Sequence, residues 1–177
     1  MPSNGKTKRG APSKRQTKPQ PGRGANLAQT KAPVAKSRNV RTSAPAYLNA
    51  PGGSVRVRHR EFLWDIVGST EFAWDQFAIN PGVPETFPWL SAIAARFESY
   101  KFHSLHFCYE PAVSTTTPGT VILAVDYDAS DNGPETKTIA LSYRDAVRSA
   151  PWDECTFIAQ QDDLHKAKSN YVRSGLA

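Results

Sequence analysis

From Pro51 onward the chain alternates apolar runs of strand length with polar connections rich in glycine and proline. In SVRVRHREFLWDIVGS, Val55 and Val57 alternate with Arg56 and Arg58. Alternation resumes at Phe62, Trp64 and Ile66 after the polar His59-Arg60-Glu61, and this predicts one long strand over 54–66 of uneven burial. Residues 87–97 place apolar side chains at 89/90, 93 and 97 behind Pro88, the spacing of a short amphipathic helix. In YKFHSLHFCY, Tyr100 and Phe102 share one phase, while Leu105, Phe107 and Tyr109 share the other. The slip near Ser104 predicts a bulge or bend. Thr120 to Tyr127 is nearly all apolar and predicts a strand buried on both faces. Ser142 and Asp145 stand at capping-box spacing, predicting a helical turn over 142–148. A short strand is expected over 156–159, with another starting near 171. No repeat of 20 to 50 residues is present. Long strands joined by lengthy connections with short helices predict an all-β fold, an antiparallel sandwich rather than a βαβ sheet.

The first fifty residues have a different texture, and charge shows how different. They hold 11 of the 22 Lys+Arg and none of the 16 Asp+Glu. Residues 51–177 hold the other 11 basic residues and all 16 acids, a net of −5. The chain is therefore a basic arm, residues 1–50, joined to a mildly acidic domain, residues 51–177. In the arm, Lys6, Lys8, Arg9, Lys14, Arg15, Lys18, Arg23, Lys31, Lys36, Arg38 and Arg41 are spaced by Pro, Gly, Ser, Gln and Ala. Such a segment buries too little apolar surface to offset its ordering entropy, so it is expected to be disordered when free and to bind a polyanion. A solubilising tail and a nuclear-import signal are the other readings of this composition. Arg56, Arg58 and Arg60, at period two on one strand, are second-line polyphosphate contacts or partners of acids on neighbouring strands.

Two cysteines, Cys108 and Cys155, are too few for a disulfide framework. Cys108, among aromatic strand residues, is expected to pack as a small hydrophobe. No apolar run approaches the roughly 18 residues of a membrane span, and the N-terminus has no secretory signal pattern, so a soluble, reduced, intracellular protein is expected. His59, His103, His106 and His165 accompany no Gly-x-Ser-x-Gly elbow, and no Cys/His spacing suggests zinc. His103 and His106 read as structural.

The densest chemistry is VILAVDYDASDNGP, in which Asp126, Asp128 and Asp131 crowd the end of a strand. An EF-hand loop fails here, because starting from Asp126 its sixth position is Asp131 and its twelfth is Lys137. Strand-D-x-D-x-S resembles the nucleophile segment of haloacid-dehalogenase phosphatases. That chemistry needs a parallel α/β sheet and a further acidic pair, and the strand-helix alternation is missing. Asp126 and Asp128, two apart on extended chain, point to one side, and Asp131 in the turn can fold back toward them. Hard oxygen ligands at this density suit Ca²⁺. The residue types alone leave a calcium site and a solvated acidic turn equally open.

In order, the pieces resemble the coat proteins of small icosahedral positive-strand RNA plant viruses of the tombusvirus and carmovirus group. The resemblance is carried by the basic arm, SVRVRHREFL after a Pro-Gly-Gly linker, FPWLSAIAARFESYKFHSLHFCYEP, TTTPGTVILAVDYDASDNGP, APWDE and NYVRSGLA. It implies a jelly-roll shell domain behind an internal arm that packages single-stranded RNA. It also implies an icosahedral homo-oligomer, no membrane or small-molecule substrate, and a location in virions and, during assembly, host cytoplasm. It further implies Ca²⁺ between subunits, held by aspartates of the cluster on which Asp126, Asp128 and Asp131 fall and by groups of the facing subunit. An eight-stranded shell domain is expected to continue beyond Ala177, so the chain resembles its first two-thirds. The alternative is a truncated coat product that binds RNA or suppresses silencing without assembling.

Overall fold

The structure, a computed structural model, describes residues 34, 43–128, 130–166 and 170–174. Among these residues all strand pairing is antiparallel and comes in four pairs. The first is a hairpin: β1 (Ala46–Asn49) pairs with β2 (Val55–Arg58) around a turn at Pro51–Gly53, where Gly52 and Gly53 adopt positive φ. β1 lies in the stretch assigned above to the arm. The short helix α1 (Leu90–Ala94) follows, then β3 (Ser99–Tyr100), β4 (His106–Tyr109) and β5 (Val121–Leu123). The chain continues through α2 (Lys137–Ser142), β6 (Val147–Ser149), β7 (Cys155–Ile158), α3 (Gln161–Leu164) and β8 (Asn170–Tyr171). The other pairs are β3 with β8, β4 with β7 and β5 with β6.

Several sequence expectations change. The strand over 54–66 ends at Arg58, and Phe62, Trp64 and Ile66 are exposed. Its apolar positions switch from odd numbers at Val55 and Val57 to even numbers beyond Phe62, so one unbroken strand would send the two sets to opposite faces. The aromatic segment breaks where its phase slips. β3 and β4 flank Ser104 and pair with different partners, β8 and β7. The strand at 120–127 is shorter than expected and buried on one face only. Val121 and Val125 are buried and Leu123 and Tyr127 partly so, whereas on the other face Ile122 is partly buried and Ala124, Asp126 and Asp128 are exposed. Of the turn expected over 142–148 only the middle turns, with Ala146 N donating to Tyr143 O at 3.1 Å, while Ser142 ends α2 and Val147 starts β6. Thr136 is the cap in use: its Oγ1 accepts a hydrogen bond from Ile139 N at 3.3 Å, and Ala140 faces inward. Asp145 then turns the chain with φ 58°, a conformation that aspartate tolerates.

The core explains the facing. Phe157 is fully buried with Val125 and Ala159, and Phe107, Leu105, Leu123, Tyr127, Val147, Ile79 and Leu164 pack around them. In the β4–β7 register Phe107 faces Phe157, which puts Cys108 and its partner Thr156 on the opposite, exposed side. Cys108 is therefore exposed rather than packed as a core hydrophobe.

A second packing point ties the end of the described chain down. Asn80 Nδ2 donates to Tyr171 O at 3.0 Å, and Asn80 Oδ1 accepts from Gly82 N and Arg173 N, each at 3.1 Å. Gly82 is buried against Arg173 O, where a Cβ would overlap that backbone oxygen. Gly82→Ala is expected to destabilise the domain by about 1–3 kcal/mol, the usual cost of overpacking. Chemical denaturation of the variant beside wild type measures it, and an unchanged midpoint would mean that this segment yields freely.

Candidate functional site

The inward phase of β5 continues through Val125 to Tyr127, whose hydroxyl accepts from Gln160 N at 2.9 Å. The opposite phase therefore presents Asp126 and Asp128 to solvent. Both carboxylates close turns in their own loop. Asp126 Oδ1 accepts from Asp128 N at 2.9 Å, and Asp128 Oδ1 accepts from Ser130 N at 3.0 Å and Ser130 Oγ at 2.6 Å. Asp131 N donates to Asp128 O at 3.3 Å. Hydrogen bonds from the Ser130 hydroxyl and backbone hold the Asp128 carboxyl below the usual carboxylate range.

Two neighbours of this loop come from distant sequence. Tyr143, at the end of α2, lies close enough to Asp126 to feel its charge. Loss of hydration, then Asp126 and Asp131, push its phenol above the ordinary range. Trp74 lies against Gly133 so closely that a Cβ there would fall on the indole ring. Periodicity could not have found either residue, since each is a loop or helix-end side chain brought in by tertiary packing. Lys166 is a third neighbour: its Nζ stands 5.9 Å from the Tyr127 ring centroid and 3.9 Å from Asp163 Oδ1. Asp163 in turn accepts from Arg144 at 2.7 Å.

As a metal site, the donor set has the right chemistry and is incomplete. Asp126, Asp128 and Asp131 offer hard carboxylate oxygens, as calcium requires. Among the described residues, however, no three His, Cys, Asp or Glu side chains are grouped so as to hold a metal ion. The described residues of this loop would supply part of a coordination shell at most. Calcium ordinarily takes six to eight oxygens, so the rest must come from water or another chain.

The cationic candidates divide. Lys6, Lys8, Arg9, Lys14, Arg15, Lys18, Arg23, Lys31, Lys36, Arg38 and Arg41 all lie outside the described residues. Of the β2 arginines and their neighbour, Arg60 forms an ion pair with Glu110, and Arg56 reaches His103. His106 is exposed and bonds Ser104 at 3.0 Å, while His59 packs at a tilt against Trp89 with ring centroids 4.2 Å apart. No helix among the described residues is long and apolar enough to cross a membrane.

The family model described as viral coat protein (S domain) matches residues 28–168. The chain belongs to the viral coat protein family. This coat protein is 40% identical to the capsid protein of Cucumber necrosis virus over 129 residues, which are 68% of this chain and 34% of that one. It is 33% identical to the capsid protein of Tomato bushy stunt virus (strain Cherry) over 141 residues, 76% of this chain and 36% of the relative. Its fold matches the crystal structure of Cucumber Necrosis Virus with a TM-score of 0.72 and 34% identity, over 80% of this chain and 45% of that chain. The X-ray structure of Melon necrotic spot virus matches with a TM-score of 0.67 and 27% identity, over 84% and 51%. The all-β, antiparallel shell-domain class expected from the sequence is thus the fold of this coat protein. Its relatives are capsid proteins and not enzymes. The chain spans about a third of the length of the curated relatives it matches.

Proposed function

We propose that this coat protein associates with copies of itself into an icosahedral shell and packages single-stranded RNA through residues 1–50, with calcium ions between subunits. Membership of the S-domain family carries the assembly reading, since the named relatives are capsid proteins. The RNA reading rests on 11 cations without one acid in fifty residues. The calcium reading rests on three exposed or turn-held carboxylates that the described residues leave short of a complete shell. In it, Asp126, Asp128 and Asp131 face a neighbouring subunit, and a bound cation offsets their mutual repulsion. Virions, and host cytoplasm during assembly, are the corresponding locations.

Sedimentation and electron microscopy of the chain assembled on single-stranded RNA test these elements together. With chelator at mildly alkaline pH the shells are expected to swell and sediment more slowly. Acid is expected to restore the compactness only in part until pH falls below the usual carboxylate range, because Ser130 lowers the pKa of Asp128 and keeps it charged. Asp126→Asn with Asp128→Asn is expected to weaken calcium binding and yet to blunt the swelling, since the repelling charges are gone. Identical sedimentation of wild type with and without chelator at both pH values would leave the cluster a polar turn. RNA binding without particles would support the non-assembling alternative.

A further inference from the structure

Three parts of the fold bring basic side chains to one exposed face. Arg56 and Arg58 are two residues apart on β2, opposite Leu48 and Ala46, and so stand on the same side of the hairpin. The Arg56 guanidinium donates through Nη2 to His103 Nε2, 3.3 Å away in the connection between β3 and β4. Arginine has only donors, so this bond exists only while Nε2 carries no proton. His103 is held below the ordinary histidine range by loss of hydration and then by Arg56, Lys101 and His165. His165, after α3, is itself fixed by contacts with Phe102 O at 2.9 Å and Asn170 Nδ2 at 2.7 Å. The three side chains acting on His103 are all basic. Arg60, further along, is already paired with Glu110.

Like charges gathered on one face repel one another, and an anion seated among them removes the repulsion. We propose that Arg56, Lys101 and His103 form a docking site for a phosphodiester oxyanion of single-stranded RNA, and that the seated phosphate holds His103 in its protonated form. A phosphate oxygen then takes the place of His103 Nε2 as acceptor for Arg56. His103, having gained a proton from solvent, donates Nε2–H to the same phosphate, and Lys101 adds a third positive charge. Proton and anion arrive together, so binding tightens as pH falls.

The choice of RNA rests on the arm's proposed role and on continuity of charge. Ala46 lies directly opposite Arg58, and Arg41, the last arm cation, is five residues earlier in sequence. That length of chain spans at most about 18 Å. RNA held at Arg41 is therefore tethered no farther than that from the β1 residue that pairs with Arg58.

Imidazole NMR titration of the full chain decides the matter, with His103 assigned by His103→Gln. The titration is run alone, with inorganic phosphate, and with an oligouridylate. Oligouridylate is expected to raise the His103 midpoint by about one unit, the low end for an opposite charge in contact. RNA affinity should correspondingly be about tenfold greater below both midpoints than above them. Arg56→Ala should raise the free midpoint and remove most of the RNA-induced rise. His103→Gln should keep the salt dependence given by the arm and lose this pH dependence. If RNA binds with the arm's salt dependence while His103 titrates unchanged, the arm reading survives and this site is overturned. A rise with inorganic phosphate but none with RNA would make it a free-anion site and overturn the RNA assignment. A chain that binds no RNA at all would remove the arm reading and this one together.

Discussion

Removing residues 1–42 is expected to abolish most of the salt dependence of the single-stranded RNA binding proposed for this coat protein. The deletion takes away all eleven arm cations, since the last is Arg41, and leaves the β1–β2 hairpin in place. Each phosphate neutralised on a single strand contributes about −0.7 to the slope of log affinity against log salt, so the arm supplies a slope of at most about −8. Between 50 and 200 mM salt such a slope corresponds to a loss of affinity of roughly 10⁴- to 10⁵-fold. The truncated chain should lose almost all of this, because the remainder carries 16 acids against 11 basic residues. Fluorescence anisotropy with an oligouridylate across a salt series reads both slopes. If the truncated chain keeps the full slope, RNA recognition belongs to the domain and the arm has another purpose.

Phe157→Ala carries the largest expected cost in the folded part. Phe157 is fully buried, faces Phe107 across the β4–β7 ladder and packs on Val125 and Ala159. Truncating a phenylalanine in such a place costs about 3–5 kcal/mol, a large share of the roughly 5–15 kcal/mol by which domains are stable. Its neighbour Ile158 is 56% exposed on the other side of the same strand. Ile158→Ala should cost no more than about 0.5 kcal/mol. Denaturant unfolding of the two variants of the full chain makes the comparison, with each serving as the other's reference. Similar losses in both would mean that the inward face of β7 has been assigned wrongly.

The sequence by itself determined the division between a cationic N-terminal block and an acidic remainder, because charge is summed over residues and needs no fold. It also determined where β7 and β8 begin to within a residue, the Pro88-led helix and the break near Ser104, because each leaves a local signature in spacing or in proline. The crowding of Asp126, Asp128 and Asp131 at a strand end was equally legible. Tertiary structure decided everything that depends on a partner. Whether Thr120 to Tyr127 is buried on one face or two follows from what covers it, and the open face is the one that carries the aspartates. Cys108 is exposed because Phe107, not Cys108, faces Phe157 across the ladder. Spacing alone points to Ser142 as a helix cap, whereas Thr136 is the residue that caps. Burial of Ala140 and pairing of Val147–Ser149 with β5 settle the choice for Thr136. The contact of Arg56 with His103 spans 47 residues, and the closeness of Tyr143 to Asp126 brings a helix end to a strand end. Periodicity reports which way a side chain faces; only the folded chain brings it what it meets.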